Sequence, residues 1–444
     1  MIDKNRLARL AQTACDAAVS NGAEFADVNA VSGSSLGVHL ESNAITSCDA
    51  KQGSGIYVRA IYKGGTGWSN TDRLTDQDAE KAGKHAASLA RLAEPDPDFI
   101  SLPKPAGSYV QIDGLCDARI GRMDIKQLID YCLSNVDGAL AVCSEAIVQG
   151  GFSSHYLASS FVNSLGISLA DEGSSIGGNI MVVVRRGDEV GSFYDFDAAR
   201  TLADFDPVGV GASAAQEALK FLGAKKIETK RMPVILGPLA SSSIFDNIAG
   251  NVNAESILRK RSFMMGKLGE KIGSDALGIA DEPHIPGGLS SRGWDGEGFP
   301  TSPLTIMENG VLKSYLYGSY TAGKAGVANT GHGSRGPGAK PSNVIPKLGP
   351  TSSEQIIAET KEGLYINMGG LNPNSATGDV SVSVDFGFKI ENGELAYPVM
   401  NAMVGGNFLE MLANVDAVSS DYREEPGMLL PTVRIMDCLV AGGK

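Results

Sequence analysis

An α+β protein in two parts is predicted: an N-terminal mixed α/β sheet with covering helices over residues 1–225, then a β-rich, antiparallel part over residues 230–444. Three observations carry this. Helical stripes, with apolar residues three and four apart, are concentrated before residue 222. Two Asn-Gly pairs, Asn309-Gly310 and Asn392-Gly393, sit between alternating apolar runs, and Asn-Gly tolerates the positive φ that a type I′ hairpin needs at both turn positions. Glycine, 55 of 444 residues, forms no low-complexity tract but punctuates short alternating segments, as β-rich chains use it. With 43% hydrophobic residues, the chain has ample apolar material for a core in each part.

Residues 3–20 read as an amphipathic helix, with Leu7, Leu10, Ala11, Ala14, Ala17 and Ala18 on one stripe. Strands follow at 27–31, 36–40 and 55–62. A second helix fits 75–92, where Asp76 and Asp78 favour the positive N-terminal end of the dipole. Pro95-Asp96-Pro97 forbids its continuation. A third helix fits 123–136, a meander of strands 146–197, and a closing helix 207–222. The polar Lys225-Lys226…Lys230-Arg231 segment marks the boundary, and a strand at 233–236 opens the second part. There, hairpins are expected over 306–317 and 380–399, and helices near 239–250, 353–361 and 408–413.

Thirty-eight Lys and Arg against 51 Asp and Glu give a net charge of −13, with no compact basic stripe to meet nucleic-acid phosphates. No apolar run approaches the roughly 18 residues of a membrane span; Ile180–Val184 ends at Arg185-Arg186. Asp3, Lys4 and Arg6 interrupt any signal-peptide core. Six cysteines without a Cys-x-x-Cys pair suit reduced thiols. A cytoplasmic protein bound to neither nucleic acid nor membrane is expected.

Local chemistry is sparse. Gly-x-Ser-x-Gly occurs at 33–37 and 173–177, but neither copy precedes a helix as a nucleophile elbow must, so both read as Gly/Ser hairpin turns. Gly331–Gly338 carries Arg335 but lacks the Gly-Lys-Ser/Thr ending of a phosphate loop, and reads as a mobile loop. No two of the five histidines lie within five residues of each other, so no local pair nucleates a zinc site. His39 and His85 read as solvated; only His284 and His332, in Gly/Pro loops, have a plausible cleft position, and a structural role is the default for each. Asp295 and Glu297 fall in a tight loop without a local apolar wall, and read as turn formers.

Longer motifs say more. Ser262–Ile272 and then Asp281-Glu282-Pro283-His284-Ile285-Pro286-Gly287-Gly288 resemble the TldD/PmbA family of peptidase proteins. So do Asp295–Thr301, Glu308–Tyr315, Ile390–Val399, Gly405–Leu412 and, earlier, Gly65–Ser69 with the alanine-rich helix and its Pro-Asp-Pro ending. The resemblance implies a two-domain α+β fold and cytoplasmic peptide cleavage or processing by two paired branches. One, TldD-like, holds zinc with a His-Glu-x-x-x-His helix and a C-terminal cysteine, so that the ion acidifies a water whose proton the glutamate takes. The matching stretch here is Phe245–Gly250: Phe245 and Gly250 stand for the histidines and Asp246 for the glutamate. Losing two ligands of three removes most of the affinity for the ion. Cys438, in an apolar run, reads as a buried thiol.

The resemblance therefore points to the PmbA (TldE)-like branch. It implies no metal and no catalytic residue in this chain, and zinc in a TldD-like partner subunit, with a homodimer in that partner's absence. An extended peptide would be gripped by strand addition at Gly405-Gly406-Asn407. Two alternatives stay open: a self-contained metallopeptidase with an atypical site drawing on His284, His332 and an acid, and a homodimeric scaffold or binding protein.

Overall fold

Residues 3–336 and 338–443 are described by a computed structural model. Asp3 caps α1 (Lys4–Ser20) by accepting from Asn5 N, and the predicted stripe is buried along its length. Three strands follow, β1 (Phe25–Glu41), β2 (Ala44–Tyr62) and β3 (Gly65–Thr71). Thr75 then caps α2 (Asp76–Ala90) through Asp78 N, and a capping box at Asp124 starts α3 (Ile125–Val142). The meander is β4 (Ile147–Asn163), β5 (Ser168–Arg186) and β6 (Glu189–Ala199), closed by α4 (Gly209–Lys220). The six strands form one antiparallel sheet in the order β3-β2-β1-β4-β5-β6.

Strand alternation explains its two faces. On β1, Ala26, Val28 and Ala30 pack in the core built by α1 and α2, while Val38 and Leu40, of the same parity, pack in the core of α3 and α4. Asp27, of opposite parity, looks away from the helices toward the second half of the chain. The two Gly-x-Ser-x-Gly segments are not turns. Gly33–Gly37 lies inside β1 and Gly173–Gly177 inside β5, and both pair with the same stretch of β4, Ser153–Leu157. Their small residues fill the part of the sheet between the two helical layers, where a side chain on Gly33 would meet the Tyr156 carbonyl at 2.6 Å.

The second half starts with β7 (Lys230–Leu236), α5 (Pro238–Asn251) and α6 (Ala254–Leu258). A small sheet follows from β8 (Ile279–Asp281), β9 (Leu304–Glu308) and β10 (Val311–Leu312), joined after α7 (Ser319–Ala325) by β11 (Val344–Pro346), in the order β10-β9-β8-β11. After α8 (Ser353–Ala358) come β12 (Glu362–Met368), β13 (Asp379–Val384), β14 (Phe386–Glu391), β15 (Glu394–Val399) and β16 (Ala402–Asn407). The chain closes with α9 (Phe408–Ala413), β17 (Val415–Glu425) and β18 (Met428–Gly442). The large sheet runs β13-β16-β18-β7-β12-β14-β15, with β17 on β18. It is antiparallel except for the β7–β12 pair, which is parallel.

Both Asn-Gly turns have positive φ at both positions: 47° and 74° at Asn309-Gly310, 54° and 83° at Asn392-Gly393. Each hairpin is shorter than its sequence pattern. β10 pairs over two residues only, and Asp379–Val384 forms a separate strand against β16. Among the described residues no helix is long and apolar enough to cross a membrane.

Candidate functional site

Helix α5 begins at Pro238, whose fixed φ and missing N–H suit the first helical turn. Ile244, Phe245, Ile248 and Ala249 form its buried face, with Phe245 only 3% exposed in the core of the second half. Asn247 Nδ2 donates to the Ser243 and Leu371 carbonyls at 2.7 and 2.9 Å, fixing the loop after β12 against the helix. Phe245 and Gly250, five residues apart, diverge by about 140° around the axis. Gly250 accordingly faces out, with no atom within 4 Å of where a side chain would start. Asp246 is open to solvent, yet its dense surroundings push its carboxyl above the ordinary value.

These positions do not fit zinc. A benzyl ring in the core and a bare α-carbon offer no donor, and the lone carboxylate has no companion ligand beside it. Cys438 on β18 is buried, its thiol pushed up to about 12 by desolvation and by Asp437, so the thiolate a metal needs is strongly disfavoured.

The histidines are scattered too. His332 is buried and both its ring nitrogens are engaged, Nε2 with Asp281 Oδ2 at 3.1 Å and Nδ1 with Thr330 Oγ1 at 2.9 Å. His284 Nε2 lies 3.1 Å from Thr301 Oγ1. Among the described residues no three His, Cys, Asp or Glu side chains are placed to share an ion. His39 and His85 are exposed, His39 beside Asp49 at 3.4 Å.

The segment Gly331–Gly338 is the main correction to the sequence reading; residue 337 lies outside the described residues. Gly331–Gly336 is anchored across the molecule, not a mobile loop. Asp27 on β1 is completely buried and holds two guanidiniums at once: Arg59 Nε at 2.7 Å on Oδ2 and Arg335 Nε at 2.6 Å on Oδ1. Arg335 Nη2 also donates to the Asp27 and Tyr57 carbonyls, and Arg59 Nη1 to the Arg335 carbonyl at 2.8 Å. Both guanidiniums lie over the Trp68 ring, 5.7 and 5.3 Å from its centroid.

The tight loop at Asp295 and Glu297 is likewise more than a turn. Asp295 does accept the turn N–H groups of Glu297 and Phe299, both at 2.9 Å, and Gly333 N at 2.7 Å. But both carboxyls are almost wholly buried. Burial, reinforced by Glu297, pushes Asp295 up to about 7, and burial raises Glu297 as well. The wall missing from the local sequence comes from elsewhere: Gly298 packs on Phe161 and Ile167, and Tyr109 meets Trp294 edge-on.

Gly405 does not offer a free strand edge. β16 lies between β13 and β18, and Gly405 is paired on both sides, with Ser381 and Leu439. Only Gly406 and Asn407 run past the β18 ladder, and Asn407 is engaged in capping α9 through Leu409 N.

Three family models cover most of the chain. PmbA/TldA metallopeptidase domain 1 matches residues 26–90, the central domain 119–222 and the C-terminal domain 229–442. Metalloprotease PmbA of Escherichia coli O157:H7 is 26% identical over 437 residues, covering 95% of this chain and 93% of the relative. A metalloprotease of Methanocaldococcus jannaschii is 28% identical over 427 residues, covering 91% of each. The crystal structure of TldE from Thermococcus kodakarensis superposes with a TM-score of 0.89 at 24% identity, over 98% of this chain and 100% of that one, a likeness of fold.

Proposed function

The chain belongs to the PmbA/TldA metallopeptidase family, and from that premise we propose that it is the zinc-free, PmbA (TldE)-like member of a cytoplasmic two-chain peptidase assembly. Its partner is a TldD-like subunit that carries the zinc. This chain completes the chamber and helps hold an extended peptide, with Gly406 and Asn407 as the backbone still open on one side. The observation supporting this reading is the furnishing of α5, Phe245 turned into the core and Gly250 bare, together with Cys438 on β18 held as a neutral thiol. A helix so furnished retains the family's shape without the donors of its metal chemistry.

The test is metal analysis and peptidase assay of the purified chain, alone and mixed with a TldD-like subunit. Alone it should contain far less than one zinc per chain and cleave nothing; the mixture should cleave peptides in a chelator-sensitive manner. Stoichiometric zinc with chelator-sensitive cleavage by the lone chain would overturn the proposal in favour of a self-contained metallopeptidase. Failure to bind any zinc-bearing relative would overturn it in favour of a homodimeric scaffold.

A further inference from the structure

Away from α5, a cleft of about 280 Å³ opens where the two halves of the chain meet. It falls just below the usual range for ligand pockets, about 300–1,000 Å³, a size for a small ligand. Three acids (Asp96, Glu255 and Glu297) and three arginines (Arg59, Arg259 and Arg335) line it. A simple anion or a simple cation would meet as many repelling as attracting charges there.

Glu297 is recessed in the lining and 4% exposed. Its Oε2 accepts from Ser319 N at 2.8 Å, the Ser319 hydroxyl is a second donor to the carboxyl, and Arg59 Nη2 stands 3.8 Å from Oε1, beyond hydrogen-bond length. Arg335 has a donor to spare. Its Nε and Nη2 are engaged by Asp27 and Tyr57, and Nη1 has no acceptor among the described residues. Asp27 is shared with Arg59, so one anion answers two cations. Trp68 adds an apolar wall, 47% exposed despite the arginines over its ring, and its indole N–H is unpartnered among the described residues.

We propose that this cleft binds a small zwitterion, a free amino acid or a dipeptide, with its ammonium on Glu297, its carboxylate on Arg335 and its side chain along Trp68. The ammonium meets a carboxyl whose nearest cation, Arg59, stands beyond hydrogen-bond length, and the carboxylate supplies the acceptor that Nη1 lacks. Each new bond is charge-assisted in a partly dry site, where such bonds are strongest. Every group belongs to this chain, so the inference is independent of any partner subunit.

The test is titration of the full chain with L-alanyl-L-leucine, its N-acetyl and C-amide derivatives, and inorganic phosphate. The chain has two tryptophans, Trp68 and Trp294, so Trp294→Phe leaves Trp68 as the sole fluorescent reporter, with calorimetry as the second readout. The free dipeptide should bind and change the Trp68 emission. Each blocked derivative should bind about tenfold more weakly or worse, as expected for one lost charged hydrogen bond, and phosphate should not compete. Trp68→Ala should weaken binding while the chain still unfolds in one cooperative transition, and Glu297→Gln should weaken it selectively for the free amine. No binding at millimolar dipeptide, equal binding of the blocked forms, or an unchanged affinity in Trp68→Ala would each overturn the assignment. If Glu297→Gln fails to fold, the blocked derivatives still decide it.

Discussion

Helix α5 and the joint between the two halves are built on opposite terms. On α5, the residues that face out are a carboxylate without a partner among the described residues and a glycine with empty space above it. At the joint, Asp27, Arg59, Asp295 and Glu297 are buried and Arg335 is half-buried; Asp27, Arg59, Arg335 and Asp295 are held by several bonds each, Glu297 by Ser319, and Trp68 roofs the two guanidiniums. The first region is the stretch that the sequence resemblance matches to a metal-binding helix, and it presents no set of metal donors. The second reads in the sequence as turns, yet it gathers five charged side chains at one place. The contrast teaches that the segment a motif singles out need not be the segment where a fold invests its polar groups.

The comparison is broken most severely at Asp27. Asp27→Ala strands two buried guanidiniums, and breaking such a cluster from one side costs about 3–5 kcal/mol. Urea unfolding measures this directly, and a loss under about 1 kcal/mol would show that the arginines do not depend on Asp27. A smaller loss, about 1–3 kcal/mol, is expected for Gly333→Ala, whose methyl would collide with Glu297 Oε2 and crowd Asp295 Oδ2 in a packed interior.

The joint should also respond to pH. Asp295, at about 7, keeps its proton in the folded chain where an unfolded chain, with a carboxyl near about 4, has released it. Its folded value is raised, so its contribution is present at acid pH and is lost as pH climbs through about 7. Glu362, held down at about 2 by Lys230 and Lys389, stays ionised between pH 5 and 8 and does not disturb the comparison. Stability should fall by about 1–3 kcal/mol across that window, and Asp295→Asn should flatten the slope. A slope of the opposite sign in the wild-type chain would contradict the burial argument.

The smallest effect belongs to α5. Gly250→Ala adds a methyl into open space at an ordinary helical φ and should stabilise the chain by about 0.5–1 kcal/mol. If the same substitution leaves the lone chain more stable yet abolishes cleavage by the two-chain mixture, the space over Gly250 is occupied in the assembly. If it destabilises the lone chain, the helix is not the open surface described here.

Much of the fold was legible because its signals are local. Asp3, Thr75 and Asp124 cap their helices from the adjoining residues, and both Asn-Gly turns follow from two residues' tolerance of positive φ. The Gly-x-Ser-x-Gly segments were misread as turns because glycine and serine serve equally as the small residues of a strand crowded on both sides. Only the shared β4 partner decides between the two. Asp295 and Glu297 gave a true turn signal that hid their burial.

By itself the sequence determined the periodicities, the hairpin turns and the absence of imidazoles at Phe245 and Gly250, because each depends on the residue in place and its near neighbours. Only the tertiary structure decided that Arg335 would close on Asp27, 308 residues earlier in the chain, and that Glu297 would lie recessed in a cleft beside Trp68. Desolvation and charge pairing depend on what surrounds a group in space, and distant strands and loops supply those surroundings once both halves have folded.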